Sequence, residues 1–161
     1  PVAPAISRTA DTTGSSIWSW SWCPAARSGR RSARAGRWAR SAWRALVEAR
    51  PLARTRADAD NLKEETLLVE LVYRTFVSCA NTVAFLHARR RWEETGDPIH
   101  WLEMQRIAGE ERENASSALP IYERAPWLDL AARTDGVFAP CAIMIAEKVA
   151  WIDRFLDSRR G

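Results

Sequence analysis

Asn61-Leu-Lys-Glu-Glu-Thr-Leu-Leu-Val-Glu-Leu-Val-Tyr-Arg-Thr-Phe-Val-Ser-Cys-Ala-Asn-Thr-Val-Ala-Phe-Leu-His87 continues to Thr95 without a proline or glycine. Leu68, Leu71, Val72, Phe76, Val77, Cys79, Ala80, Val83, Ala84 and Leu86 recur at helical spacing within it. They cover more than half the circumference, too wide a stripe for a helix lying on a single neighbour. The pattern predicts one helix of about 50 Å at 1.5 Å per residue, held between at least two partners. Asn61 followed by Glu64 suggests a capping box at its start, each side chain giving a backbone donor an acceptor.

The punctuation on either side sets the topology. Gly96 supplies a helix stop, Asp97 a cap and Pro98 a first-turn residue. So short a connection forces the next helix to run antiparallel. Ile99, Leu102, Ile107, Ala108, Ala115, Ala118 and Leu119 supply that helix's apolar side, and Glu103, Glu110, Glu111, Arg112 and Glu113 read as its solvent face. Pro120 is expected to end or kink it, since proline lacks the backbone donor and crowds the preceding turn. Residues 125–139 read as a loop with Pro126, Trp127 and an Asp135-Gly136 turn. A last helix with Pro140 in its first turn carries Cys141, Ile145, Ile152, Phe155 and Leu156 on one side and ends near Asp157.

Upstream, Trp38, Ala42, Trp43, Leu46, Val47 and Ala49 predict a short amphipathic helix ended by Pro51. The fold class is therefore all-α: three main helices plus a short N-terminal helix in an antiparallel bundle, with residues 37–158 as the helical domain. Residues 1–36 are of a different kind. Over residues 1–56 there are 11 arginines against Asp11 and Glu48, a net +9, and no Lys, Asn, Gln, His, Phe or Tyr. The remaining 13 basic and 18 acidic residues leave −5.

Trp18, Trp20 and Trp22 alternate with serines and, in a strand, would line one face fit to stack on sugars or bases. Arg30, Arg31, Arg34, Arg37 and Arg40 resemble a basic arm that folds only on binding an anion. Ala, Arg, Gly, Pro, Ser and Trp are also what G+C-rich codons yield when read out of frame. Residues 1–36 thus read as a disordered or mistranslated basic leader. Because the positive charge lies in the part least suited to fold, nucleic acid is not the expected partner of the bundle.

No complete catalytic or ligand constellation is visible. Three cysteines without a C-x-x-C pair argue against a disulfide framework or zinc knuckle, so Cys79 and Cys141 read as buried thiols. Neither His87 nor His100 has the glutamate three residues before it that a di-metal bundle requires. His87 reads as a core or boundary residue and His100 as a first-turn surface residue. No apolar run approaches the roughly 20 residues of a bilayer span. Neither a metal nor another cofactor is implied.

Arg74, Ser78 and Asn81 or Thr82 form a polar line in the apolar part of the long helix. Buried polar groups need partners, so Arg74 and Asn81 are candidates for a contact with another domain or with a ligand. Trp127 and Asp135 are candidates for the same role, since a loop aromatic beside an acid can stack a sugar and accept its hydroxyls; Trp127 read as a structural residue would plug the loop onto the core. Adjacent carboxylates at Glu110, Glu111 and Glu113 are the kind of pair glycoside chemistry uses, but a charge run on one helix reads first as a solvated face.

Met104-Gln-Arg-Ile-Ala-Gly-Glu-Glu-Arg-Glu-Asn-Ala115, Leu119-Pro-Ile-Tyr122 and Phe138-Ala-Pro-Cys-Ala-Ile-Met-Ile-Ala-Glu-Lys148 resemble the C-terminal helical region of large bacterial glycoside-hydrolase-like proteins related to alpha-glucuronidases and beta-hexosaminidases. Arg74 to Thr82 is similar to the long helix of that region, and the likeness spans roughly Trp38 to Leu156. In that family such helices follow a catalytic barrel whose strands carry the carboxylates. The resemblance therefore implies a non-catalytic accessory domain, no catalytic residue in this chain, and a partner that is either the barrel of a parent protein or a second copy meeting exposed apolar helix faces. A start at Pro1 instead of Met fits a fragment. The alternative is a free-standing interaction module whose Arg-rich arm binds nucleic acid or another polyanion.

Overall fold

The computed structural model describes residues 29–129 and 141–158. It is all-α, with no strand among the described residues. Four helices follow one another: α1, Gly29–Ala49; α2, Arg56–Thr95; α3, Pro98–Arg124; and α4, Ala142–Asp157. A 3₁₀ turn, Arg50–Leu52, joins α1 to α2, and residues 126–129 add a helical turn after α3.

α2 is longer than its apolar pattern predicts. It begins at Arg56 because Thr55 and Asp58 form the capping box: Asp58 N–H donates to Thr55 Oγ1 and Thr55 N–H to Asp58 Oδ2, each at 3.1 Å. Asn61 and Glu64, expected at the start, lie inside the helix and are exposed. Forty residues make a rod of about 60 Å. Thr66, Thr75, Thr82 and Thr95 turn their hydroxyls back onto the carbonyls of Leu62, Leu71, Ser78 and Arg91, which satisfies them without a partner from another helix. By length and mean hydropathy, 1.2 over 18 residues, α2 also passes the composition test for a bilayer span. In the bundle, two of its faces are covered by α1 and α3.

α1 runs antiparallel to α2. It begins at Gly29, well before the Trp38 start that its apolar residues predict. Ala and Arg are strong helix formers, so a segment that looked only compositionally biased is able to coil. Its inner seam holds Gly36, Ala39, Trp43 and Leu46, with Ala39 fully buried. Trp43 stacks on Tyr73 at 5.9 Å, and Gly36 stands beside Phe76. Trp38, expected on the apolar side, is 69% exposed.

Between α2 and α3 the expected stop holds. Gly96 adopts φ 66°, its N–H bonds to Trp92 O at 2.8 Å, and Asp97 Oδ1 accepts from Ile99 N–H at 2.9 Å. α3 then passes straight through Pro120 and ends at Arg124. Interior proline costs about 3 kcal/mol, but the following turn buries Ile121, Tyr122, Ala125 and Leu128, and burying side chains of that size returns about 1.5–3 kcal/mol each for the large ones. α4 starts where Asp129 Oδ1 accepts from Ala142 N–H at 2.7 Å, since Cys141 at the cap makes no side-chain bond.

The core falls into two apolar clusters. One joins Leu67 and Leu71 of α2, Ala115, Ala118, Ile121 and Tyr122 of α3, Leu128 of the turn after α3, and Ile145 of α4. The other joins Phe85 and Ala88 of α2, Trp101, Met104, Ile107 and Ala108 of α3, and Ile152 of α4, flanked by Trp92, Trp151 and Phe155. Phe155 anchors this second cluster, meeting Phe85 edge-on at 5.5 Å and stacking on Trp151 at 5.7 Å. His87 is exposed on α2 and no core residue, while His100 is half-buried in the first turn of α3. Cys79 is buried and disulfide-bonded, not the plain thiol expected, and Cys141 is free and half-buried.

Candidate functional site

Between the two apolar clusters, each of α2, α3 and α4 places polar side chains at the same level. α2 contributes Ser78 and Asn81, α3 contributes Glu111, and α4 contributes Lys148. Helical spacing dictates the placement: Glu111 follows Ile107 and Ala108 and precedes Ala115 on the buried side of α3, and Lys148 lies between Ile145 and Ile152 on α4. The Glu111 and Lys148 side chains are only 1% and 4% exposed.

Glu111 gathers the layer. Its Oε1 accepts from Ser78 Oγ at 2.7 Å and from Lys148 Nζ, and its Oε2 accepts from Asn81 Nδ2 at 2.8 Å. Lys148 Nζ also donates to Ser78 Oγ at 2.7 Å. Both carboxylate oxygens are thereby occupied. Burial pulls the Lys148 ammonium below the ordinary lysine range, and the adjoining Glu111 carboxylate pushes it back up.

A serine and a lysine 2.7 Å apart resemble a hydrolytic dyad. Here, however, Ser78 Oγ lies 2.7 Å from Glu111 Oε1 as well as from Lys148 Nζ, and Lys148 is ion-paired to that same carboxylate. The adjoining cavity, lined by Arg74, Thr75, Asn114 and Ile145 among others, holds only about 20 Å³, room for about one water molecule. A wider hollow of about 430 Å³ at the α1–α2 elbow is open and lined by Leu52, Arg54, Asp58, Asn61 and Glu65, none of them buried.

Two of the four candidate residues meet in this layer. Asn81 bonds Glu111 directly. Arg74 lines the same cavity, donates to Glu70 Oε1 at 2.7 and 3.1 Å, and has its carbonyl bonded by Asn114 Nδ2 at 3.0 Å. Trp127 lies elsewhere, 45% exposed on the turn after α3, and its neighbour Leu128 is the residue that plugs the core. Asp135 lies outside the described residues.

The expected solvent face of α3 is corrected at one position. Glu110, Arg112 and Glu113 are exposed, but Glu111 is among the most buried side chains of the molecule. Lys148 and Asp129 were not singled out either. For Glu111 and Lys148 the signal existed, as each recurs three or four residues from apolar core positions. For Asp129 there was none, because its acceptor role depends on where α4 begins.

Among the described residues no group of three or more His, Cys, Asp and Glu side chains is placed to hold a metal ion. No protein-family model matches this chain, and neither curated proteins nor solved structures give a significant match.

Proposed function

We propose that this chain is a non-catalytic helical packing module that buttresses a larger protein. One observation carries the reading: Ser78, Asn81 and Lys148 are bonded around the buried Glu111 and leave a cavity the size of a water molecule. Such a layer fixes how α2, α3 and α4 sit against each other. A slip of any helix by one turn would bury Glu111 or Lys148 against hydrocarbon at a cost of several kcal/mol.

The outside of the module suits docking. Ile99 and Leu102, one turn apart on α3, are 61% and 62% exposed, and Ile143 and Met144 on α4 are also exposed. The resemblance of residues 104–148 to helices that follow a glycoside-hydrolase-like barrel supports a carbohydrate-active parent, with the carboxylates of that barrel doing the chemistry. The reading is tested with the purified chain and a panel of aryl glycosides. No turnover is expected, and turnover that disappears in Glu111→Gln would overturn it. Sedimentation velocity adds a second arm, in which the chain self-associates and Ile99→Lys with Leu102→Lys restores the monomer.

A further inference from the structure

The packing role accounts for α2, α3 and α4 but not for the outer face of α1. Arg37, Arg40 and Arg44 repeat at three- and four-residue spacing there, and all three are exposed. Their axial separations are about 4.5 and 6 Å at the helical rise. Arg40 is held in place: its Nε donates to Tyr73 Oη at 3.0 Å and its guanidinium sits 5.1 Å from that ring's centre. Arg37 and Arg44 have no ion-pair partner among the described residues, although Glu48 follows Arg44 by one turn. From Gly29 to Arg54 the chain carries eight arginines and this one acid. Elsewhere Arg74, Arg89, Arg90, Arg106 and Arg112 each pair with a carboxylate.

Two further facts select the ligand. Trp38, 69% exposed, follows Arg37 and lies about 100° further round the helix, on the other flank of the outer face from Arg40. The apolar side of α1, by contrast, is already engaged by Tyr73 and Phe76 of α2. A membrane-surface helix must turn its apolar face into the lipid, which α1 has no free face to do. Guanidinium groups bind phosphate oxygens through paired N–H donors, and an exposed aromatic beside them offers a platform for an unstacked base. We propose that the outer face of α1 binds single-stranded nucleic acid, with Arg37, Arg40 and Arg44 on consecutive phosphates and Trp38 under a base. Arg37 and Arg40, read from the sequence as part of an arm that folds only on binding an anion, are displayed on a formed helix.

The test is fluorescence anisotropy of a labelled oligothymidine of about 20 nucleotides, titrated with the full chain over a salt series. Three phosphate contacts predict a slope of log K against log salt near −2, at about −0.7 per contact on a single strand. Arg37→Gln with Arg44→Gln touches no packing contact, so the urea midpoint stays put while the slope falls to about −0.7 and affinity at low salt drops roughly tenfold or more. Trp38→Ala weakens binding about tenfold without changing the slope, as lost stacking does. Unchanged binding by the double arginine variant would overturn the proposal, because the affinity would then come from other arginines. So would equal competition by poly-glutamate, or retention on phosphatidylserine vesicles that depends on the same two arginines while the oligonucleotide is ignored.

Discussion

α1 and the α2–α4 core use arginine in opposite ways. On α2 and α3 the guanidinium groups of Arg74, Arg89, Arg90 and Arg106 lie against glutamates three or four residues away, and Arg112 of α3 reaches Asp153 of α4. On α1, Arg37 and Arg44 meet no acid among the described residues and face solvent. The packing differs in the same sense. α2, α3 and α4 share two apolar clusters and a buried polar layer, while the described part of α1 contributes one fully buried side chain, Ala39. The difference teaches that the molecule has a core that specifies its own geometry and a cover whose outer charge is left for something else.

The largest effect that would break this contrast lies in the polar layer. Glu111→Ala leaves the Lys148 ammonium buried without its carboxylate, and losing one partner of a buried pair costs about 3–5 kcal/mol. Urea unfolding should register that loss. Glu111→Leu with Lys148→Met removes both charges and should recover most of it, since an apolar replacement of a buried pair is often neutral or stabilising. A double variant as unstable as Glu111→Ala would show that Ser78 and Asn81 need the carboxylate more than Lys148 does.

Next in size is a paired truncation. Ile152 is fully buried in the second cluster, so Ile152→Ala should cost about 2–5 kcal/mol. Leu46 on α1 is only half-buried, and Leu46→Ala should cost less than about 1 kcal/mol, as truncations outside a core generally do. Thermal or urea denaturation of the two variants measures the ratio directly. Equal losses would place α1 inside the cooperative core and remove the distinction drawn above.

How much of this was legible follows from the physics of each position. The α2–α3 hairpin was, because Gly96, Asp97 and Pro98 each act locally through backbone conformation or a cap. The wide stripe on α2 correctly required two neighbours, and α1 and α3 are those neighbours. Ser78 and Asn81 were recognisable as half of a buried polar contact. The other half was hidden: Glu111 was read as one of four consecutive charges, when its spacing from Ile107, Ala108 and Ala115 puts it inside. Pro120 and the start of α2, expected at Asn61 and found after Thr55, depart from the sequence reading for a shared reason. A local preference, for breaking a helix or for starting one at the apolar run, was weighed without the burial and capping that decide the outcome. α1 was cut short because its biased composition masked the helix propensity of alanine and arginine.

The smallest expected effect sharpens the contrast most. Gly36 lies within α1, where glycine is less favourable than alanine by about 0.5–1 kcal/mol. A Cβ built there would stand 3.7 Å from Phe76 Cβ, an ordinary contact. Gly36→Ala should therefore stabilise α1 by up to about 1 kcal/mol, and two measurements separate what that means. If α1 unfolds together with the core, the urea midpoint rises by that amount. If α1 opens on its own, as its having a single fully buried side chain, Ala39, favours, the midpoint barely moves while amide exchange within α1 slows severalfold, because local opening is governed only by the contacts that opening breaks. We expect the second result. A fall in stability instead would mean that α1 and α2 approach more closely at Gly36 than an alanine allows.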